Sequence, residues 1–324
     1  MYNVLLIVKK IGFFMVLMVC LCGCEQTKDT PIKKESVEKA HHVAERPIKK
    51  WASGPDLVLS VQPCWEPEKI LLMYRPLANY LSKTTGFHVK LVISDNYKQF
   101  HQKLFKTDIA LQDAYSTYTH IESGVMLLPV AIAVSKNGST EERGAVIVRA
   151  ESAIRDLHDL VGKSFIFGAI HNTPKFFSAW ILLKKAGLDP PRDFPVMAIG
   201  GECSANAMAV FVGDYDAGAV CADFLEETSR QDLRMGLRVV AYTDPSPNWF
   251  FTIRKNLDPS IKAAIKKACL ELRPDSELAE KVLMHSVWSG FVETKGDELE
   301  KIGTLAVKYQ VPSQRIFDGF QSAR

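Results

Sequence analysis

The chain has 324 residues, of which 47% are hydrophobic and 24% are charged, and its formal net charge is +3 at pH 7. These proportions are typical of a globular protein, and they exclude a wholly disordered, collagenous or multi-spanning membrane chain. The small net charge gives no electrostatic basis for nucleic-acid binding, and the length favours two lobes or domains.

The N-terminus has the features of an export signal. Lys9 and Lys10 precede an apolar run at residues 11–21, which is too short to span a bilayer core of about 30 Å as a helix. The next residues, Leu-Cys-Gly-Cys at 21–24, resemble a bacterial lipobox. The resemblance implies that residues 1–23 are a lipoprotein signal peptide and that Cys24 carries the lipid. An ordinary secretory signal and a plain N-terminal helix are the alternatives.

Residues 24–55 are rich in Lys, Glu, Thr and His and poor in large apolar side chains. Such a segment cannot bury enough apolar surface to fold, so we predict a disordered tether. The tether would hold the folded residues 56–324 away from a membrane. The protein is therefore expected to be an exported, membrane-anchored lipoprotein that faces the periplasm or the cell exterior.

The folded part alternates between short apolar runs and segments of helical periodicity. The apolar runs predict strands at 56–62, 88–93, 107–111, 125–134, 143–148, 164–167, 196–199, 217–220 and 237–241. Helical spacing predicts helices at 67–85, 97–105, 152–160, 174–186, 204–212, 259–272, 275–283 and 297–309, and Pro76 should kink or divide the first of them. This alternation favours an α/β protein with a mostly parallel sheet covered on both faces.

The predicted helix at 174–186 has clear start and stop signals. Thr173 can cap it, Pro174 suits its first turn, and Gly187 ends it. The N-terminus of a helix offers unpaired backbone N–H groups and a partial positive charge. The strand, loop and helix that run from Phe167 to Ala186 are therefore suited to binding an oxyanion.

Several segments, taken in order, resemble the substrate-binding proteins of phosphate, phosphite and phosphonate ABC importers. The resemblance covers roughly residues 56–272. The segments that carry it lie at residues 74–86 (the helix into Thr-Thr-Gly), 107–110, 159–168, 200–201, 212–220 and 241–248.

The resemblance implies a type II periplasmic-binding-protein fold, in which two α/β lobes close on a solute held in the cleft between them. Lobe one would comprise residues 56–135 and 246–324, and lobe two residues 136–245. The expected function is the capture of a small anionic solute, without catalysis, for an ABC permease and ATPase complex in the membrane. A ligand-sensing lipoprotein that signals to a membrane partner, such as a sensor kinase, remains the alternative.

The resemblance also suggests which residues bind the solute. Phosphonate binders commonly carry Ser-Thr-Ser in the loop before the oxyanion-binding helix, whereas this chain has Asn-Thr-Pro at 172–174. Thr173 and the neighbouring N–H groups would hold the oxyanion, and Asn172, Tyr115 and Glu202 would set the specificity. Trp65 would close the cleft. His171, in the same loop, is a further candidate, and Glu202 favours a ligand with a cationic group or a different small anion.

Other chemistries lack support in the sequence. There is no Gly-x-Ser-x-Gly or His-Glu-x-x-His motif and no nucleophile–base pairing, so neither an enzyme nor a cofactor is expected. The four cysteines beyond the signal region, Cys64, Cys203, Cys221 and Cys269, are too widely spaced to predict a metal site. A disulfide between Cys203 and Cys221 and buried free thiols remain as alternatives.

Overall fold

Two β-sheets form the framework of the protein, for which a computed structural model describes residues 55–313. The strands are β1 Asp56–Val61, β2 His88–Val92, β3 Ile109–Gln112, β4 Leu127–Ser135, β5 Glu141–Glu142, β6 Gly144–Arg149, β7 Ser164–Phe167, β8 Val196–Ile199, β9 Ala217–Cys221, β10 Leu237–Tyr242, β11 Ser246–Pro247, β12 Phe250–Arg254 and β13 Trp288–Glu293.

Helices cover these sheets and connect their strands. The α-helices are α1 Pro67–Thr85, α2 Tyr97–Leu104, α3 Ala114–Glu122, α4 Ser178–Lys185, α5 Pro190–Asp193, α6 Cys203–Phe211, α7 Phe224–Glu227, α8 Gln231–Gly236, α9 Pro259–Glu271, α10 Glu277–Val282 and α11 Glu298–Lys308. A π-helix, Thr173–Phe177, runs directly into α4, and a 3₁₀ helix spans His158–Leu160.

The first sheet has six strands in the order β13-β4-β12-β3-β1-β2, and the second has five in the order β10-β6-β9-β7-β8. Strands β1, β2 and β3 pair in parallel, as do β7, β8 and β9, but the remaining pairings within both sheets are antiparallel. The prediction of a mostly parallel sheet was therefore wrong. In the first sheet the antiparallel pairs arise because β12 and β13, which follow the second sheet in the chain, return to it. In the second sheet β6 runs antiparallel to both β9 and β10.

A short two-stranded ladder marks the two places where the chain crosses between the sheets. β5 lies on the outward crossing and β11 on the return, and the two strands pair antiparallel, with Ser246 opposite Glu142. The crossings therefore lie side by side. This arrangement places the loops at the carboxyl ends of β1 and β3 opposite those of β7, β8 and β9.

Pro76 was predicted to kink or divide helix α1, and the helix is not divided there. Its buried face packs against the first sheet through Ile70, Met73, Tyr74, Leu77 and Leu81. This burial outweighs the penalty of about 3 kcal/mol for a proline in a helix. Gly86, with a φ of 76°, ends the helix in the left-handed conformation that glycine adopts readily.

The predicted helix at 152–160 is reduced to one 3₁₀ turn, because carboxylate side chains take the backbone N–H groups that a helix would use. Asp159 accepts hydrogen bonds from the amides of Arg155 and Asp156, and Asp156 accepts from the amide of His158. Local bonds of this kind compete with helix formation. The sequence patterns also missed α3, β12 and β13.

Several predictions concern residues outside the described range. The signal peptide at 1–23, the lipidated Cys24, nearly all of the tether at 24–55 and the last residues of lobe one, 314–324, belong to this group. None of the helices between residues 55 and 313 combines the length and the apolar character needed to cross a membrane.

Candidate functional site

The carboxylate of Asp113, directly after β3, lies at the centre of a network that joins the two lobes. Its Oδ2 accepts hydrogen bonds from Gln62 Nε2 (2.6 Å), Asn172 Nδ2 (3.0 Å) and the amide of Thr173 (3.1 Å). Its Oδ1 accepts from the amide of Ser116 (2.9 Å) and from Thr173 Oγ1 (2.8 Å). Asp113 is fully buried, and all five donors point at its carboxylate group.

These partners suit a carboxylate, because a carboxylate accepts hydrogen bonds at both oxygens and donates none. Burial raises the pKa of Asp113, while the hydrogen bonds from Ser116, Gln62 and Thr173 act in the opposite direction. Thr173 Oγ1 also accepts a hydrogen bond from the amide of Tyr115 at 2.9 Å, so its hydroxyl proton is directed at Asp113. The donor set predicted to hold an oxyanion thus coordinates a carboxylate of the protein itself.

Asn172 and Thr173 are positioned by the start of the π-helix. The side chain of Asn172 accepts a hydrogen bond from the amide of Lys175 at 2.9 Å, and so Asn172 is the N-cap residue. The prediction that Thr173 is the cap was wrong, because its hydroxyl is committed to Asp113 and to the amide of Tyr115. The amide of Thr173, at the helix N-terminus, donates instead to the carboxylate of Asp113.

Lys175 places a buried cation beside this network, which the sequence analysis did not identify. Its Nζ donates a hydrogen bond to the carbonyl oxygen of Gly201 at 3.0 Å. The stem lies over Gly168, where a Cβ atom would come within 2.3 Å of Lys175 Cβ. Burial opposes its charge, but neighbouring Cys203, Cys221, Cys64 and Glu202 outweigh that effect and raise the pKa of Lys175.

Two further acidic side chains lie around Lys175. Burial, with the nearby charge of Asp113, raises the pKa of Glu142 well above its ordinary value. Oε1 of Glu142 is buried and has no hydrogen-bond partner among the described residues. Burial, together with Glu66, also raises the pKa of Glu202, which precedes α6. The cleft therefore combines a positive centre at Lys175 with several carboxyl groups.

The rings of the two predicted aromatic residues, Trp65 and Tyr115, pack against other aromatic side chains. Trp65 is half-buried after β1 and lies against the lobe-one aromatic side chains, with its ring centroid 5.3 Å from that of Trp249. The Tyr115 ring is buried and stacks on Phe177 at 4.5 Å. Tyr115 therefore meets the oxyanion network through its backbone amide rather than through its ring.

His171 lies in the predicted loop, but its side chain faces α3. Its Nδ1 is 3.3 Å from Thr119 Oγ1, and its ring lies 5.7 Å from that of His120. Together with Tyr115 and Tyr118 it lines a cavity of about 450 Å³ between α3 and α11. The structure thus brings Asn172 and Thr173 together, places Glu202 near Lys175, and puts His171 in a separate cavity.

Metal chemistry has no support in this part of the protein. Between residues 55 and 313, no group of three or more His, Cys, Asp or Glu side chains is arranged to hold a metal ion. The side chains described at the cleft offer hydrogen bonds and charge pairing to a small solute.

Comparison with protein families agrees with this geometry. Residues 59–299 match the family described as "ABC transporter, phosphonate, periplasmic substrate-binding protein". The chain belongs to this family. Its members are substrate-binding transport proteins and not enzymes, which confirms the expected absence of catalysis. Membership also confirms an exported location, a small solute as ligand, and an ABC permease and ATPase as partners.

Solved structures confirm the two-lobed periplasmic-binding-protein fold. The binding protein of an ABC phosphonate transporter from Pseudomonas aeruginosa has a TM-score of 0.69 at 20% identity, covering 79% of this chain and 87% of that one. PhnD1 from Prochlorococcus marinus, in complex with methylphosphonate, has a TM-score of 0.68 at 16% identity, covering 79% and 99%. The alkanesulfonate-binding protein SsuA from Xanthomonas axonopodis, bound to MOPS, has a TM-score of 0.55 at 18% identity, covering 82% and 96%.

Proposed function

We propose that this protein is a lipid-anchored solute-binding protein of an ABC importer that captures a phosphonate, phosphite or phosphate-like anion between its lobes. The lipid would be attached to Cys24, and the following segment would act as a tether. The membrane permease and ATPase would receive the solute from the closed cleft. This proposal combines the family of the chain with the resemblance of residues 21–24 to a lipobox.

The observation that carries the proposal is the coordination of the Asp113 carboxylate by Asn172 and Thr173. Carboxylates and phosphorus oxyanions accept hydrogen bonds from the same kinds of donor, and bonds to ionised acceptors are the strong ones. In this proposal the solute oxyanion replaces the Asp113 carboxylate at these donors. Asp113 therefore acts as an internal competitor, and Lys175 supplies the charge that a dianionic solute needs.

The carboxyl groups near Lys175 bear on the choice of solute. Glu202 would attract a cationic group of the solute, and Glu142 Oε1, which has no partner in the described part of the chain, could accept a hydrogen bond from it. A zwitterion such as 2-aminoethylphosphonate fits both ends of this arrangement. Simple alkylphosphonates, phosphite and phosphate would use the oxyanion donors alone.

Thermal unfolding tests the proposal directly. Phosphate, phosphite, methylphosphonate and 2-aminoethylphosphonate are added in turn, and a ligand at a hundred times its Kd should stabilise the protein by about 2.7 kcal/mol. Thr173→Val, which removes the hydroxyl, should weaken the response, whereas Thr173→Ser keeps the hydroxyl and should largely retain it. Equal affinity in the Val variant would contradict the oxyanion role of Thr173.

The lipid anchor has a separate test. Cells that express the protein are labelled with radioactive palmitate, and label should enter the wild-type chain but not the Cys24→Ser variant. Label in both proteins, or in neither, would argue against lipidation at Cys24.

The sensing alternative is distinguished by the same titrations. Asp113 already holds the oxyanion donors, so a protein that responds to none of the phosphorus anions would bind another solute or serve a sensing role. Capture of a sensor kinase, instead of a permease, by the cross-linked protein would support that alternative.

A further inference from the structure

Two cysteines meet in lobe two, one at the start of a helix and the other at the end of a strand. Cys203 begins α6 after the β8 strand, and Cys221 is the last residue of β9. The amide of Cys221 donates a hydrogen bond to Cys203 Sγ at 3.2 Å. Both cysteines are free thiols, and both residues are partly exposed. The two cysteines are therefore adjacent in space.

The surroundings make the two sulfur atoms chemically different. The hydrogen bond from the Cys221 thiol lowers the pKa of Cys203, against the effect of burial, and the charge of Lys175 acts in the same direction. The same hydrogen bond, with burial, raises the pKa of Cys221. Cys203 also lies at the N-terminus of α6, which favours a thiolate there. The acidic side chain of Glu142 lies near Cys221 and opposes ionisation.

We propose that Cys203 and Cys221 are a redox-active pair in the solute cleft, which forms an intramolecular disulfide by exchange with a low-molecular-weight disulfide. The two roles follow from the environment: Cys203 is the attacking thiolate, and Cys221 is the thiol that resolves the intermediate. The exported location implied by the family is one in which disulfides form and persist.

The exchange balances in two steps. The Cys203 thiolate attacks one sulfur of the external disulfide, forming a mixed disulfide while the other half leaves as a thiolate and takes up a proton. Cys221 then loses its proton to solvent and attacks the Cys203 sulfur, and the second half leaves as a thiolate. The protein loses two electrons in all, and the external disulfide is reduced to two thiols.

The disulfide would change the charge around Lys175, and this consequence rests on the proposed function. Cys203 and Cys221 are, after burial, the first neighbours that affect the pKa of the lysine. Oxidation removes the thiolate, so the ammonium group loses one anionic neighbour and attracts a solute anion more strongly. The oxidised form is therefore the one that binds the anion tightly.

Disulfide formation is tested on the full chain. The protein is treated with oxidised or reduced glutathione and mapped by mass spectrometry of its peptides. Oxidation should join Cys203 to Cys221 in the wild type and in Cys64→Ser, the control for the third cleft thiol. Cys221→Ser should accumulate a glutathione adduct on Cys203, while Cys203→Ser should leave Cys221 unmodified. Free Cys203 and Cys221 after oxidation, or a link from either to Cys64, would overturn the proposal.

The effect on binding is measured with methylphosphonate as the probe. Its Kd should be at least about tenfold lower for the oxidised than for the reduced protein, the change expected when a unit charge within about 12 Å of the anion is removed at an effective dielectric constant of about 20. Cys203→Ser has no thiolate to lose, so this variant should bind alike in both treatments. Equal Kd values for the oxidised and reduced wild type would refute the link to binding. If neither form binds methylphosphonate, the link fails together with the proposed function, while the peptide map still decides whether the disulfide forms.

Discussion

The backbone amide of Thr173 donates a hydrogen bond to Oδ2 of Asp113 across 3.1 Å, and this bond connects the first turn of the π-helix in lobe two with the end of β3 in lobe one. It is one of three bonds that Asn172 and Thr173 direct at that carboxylate. A carboxylate of the protein therefore takes up the donors that the family resemblance assigns to the solute.

Asp113→Asn should raise the affinity for methylphosphonate and lower the stability of the protein. Asparagine carries no charge and turns an N–H₂ group toward donors, so at least one bond to a charged acceptor is lost. Such bonds contribute about 1.5–3 kcal/mol each. The free energy of unfolding in urea should fall by about 2 kcal/mol, and the Kd for methylphosphonate in a titration should fall with it.

Asp216→Asn is the matched control for this change. Asp216 Oδ2 accepts hydrogen bonds from both the amide and the hydroxyl of Ser164, at 2.9 Å each, away from the cleft. This variant should also lose stability but keep the wild-type Kd. If Asp113→Asn keeps the wild-type Kd as well, the carboxylate does not compete with the solute.

Lys175→Met should weaken anion binding and destabilise the protein, because it removes the buried cation and leaves the carbonyl oxygen of Gly201 without this donor. A buried acceptor that loses its partner costs about 1–3 kcal/mol. Lys184→Met in α4 is the control. Its partly exposed ion pair with Asp189 contributes at most about 1 kcal/mol. Equal losses of stability in urea for the two variants would contradict this role of Lys175.

The loss of stability caused by Lys175→Met, relative to the wild type, should be smaller in acid. The pKa of Glu142 is raised in the folded protein, so folding favours its protonated form, and stability is lost as the pH rises through that pKa. Removing the cation raises the pKa of Glu142 further. The free energy of unfolding in urea should therefore lie closer to the wild-type value at pH 5 than at pH 8. A deficit that does not change with pH would show that Lys175 does not interact electrostatically with Glu142.

Gly168→Ala should destabilise the protein by about 1–3 kcal/mol, the usual penalty for overpacking. The new Cβ would lie 2.3 Å from Lys175 Cβ, so the lysine stem would have to move. Gly201→Ala is the control, since a Cβ there would meet nothing within 4 Å. Thermal unfolding should separate the two variants by several degrees. Equal melting temperatures would mean that the Lys175 stem relaxes freely.

Stability should decrease as the pH falls below about 6.5, because of His120 in α3 and His171 in the loop that packs against it. Burial lowers the pKa of His120 to about 3 and of His171 to about 4, so both are neutral in the folded protein. Their contribution to stability is present above 6.5, the pKa of histidine in the unfolded chain. It is lost as the pH falls toward the lower pKa values of the folded protein. Urea unfolding between pH 7 and pH 4 measures this slope.

His120→Gln should flatten that pH dependence, although the variant is less stable at pH 7 because His120 Nδ1 lies 2.8 Å from Gln112 Oε1. His158→Gln, on the exposed 3₁₀ turn, serves as the control and should keep the wild-type slope. An unchanged slope in the His120 variant would assign the acid sensitivity to other groups.

Local patterns in the sequence predicted much of this architecture. Pro174 and Gly187 predicted where the helix after the 168–173 loop begins and ends. Asn172 and Thr173 were predicted to bind the solute because they directly precede this helix. Periodicity failed where tertiary pairing decides the structure. β12 and β13 are strands because β4 lies between them in the sheet, which no local signal at Phe250 or Phe291 reveals.

The central residues of the site were harder to predict for a related reason. Asp113 becomes an internal ligand only when residues 51 to 60 positions away, Gln62 and Thr173 among them, fold around it. Lys175 lies in the first turn of a helix, where a lysine is ordinarily exposed to solvent. The one available signal was its position between Pro174 and Phe176 on a helix with a largely apolar sequence, and this did not distinguish a buried lysine from an exposed one.

The close approach of Gly168 to the Lys175 stem also limits how this cleft can have evolved. A side chain at position 168 and a lysine at position 175 compete for the same volume. A lineage that acquired the lysine before the glycine would have passed through an overpacked intermediate, whereas the reverse order is sterically open. Glycine should therefore be retained at 168 among descendants of a common ancestor wherever a residue with a Cβ atom stands at 175.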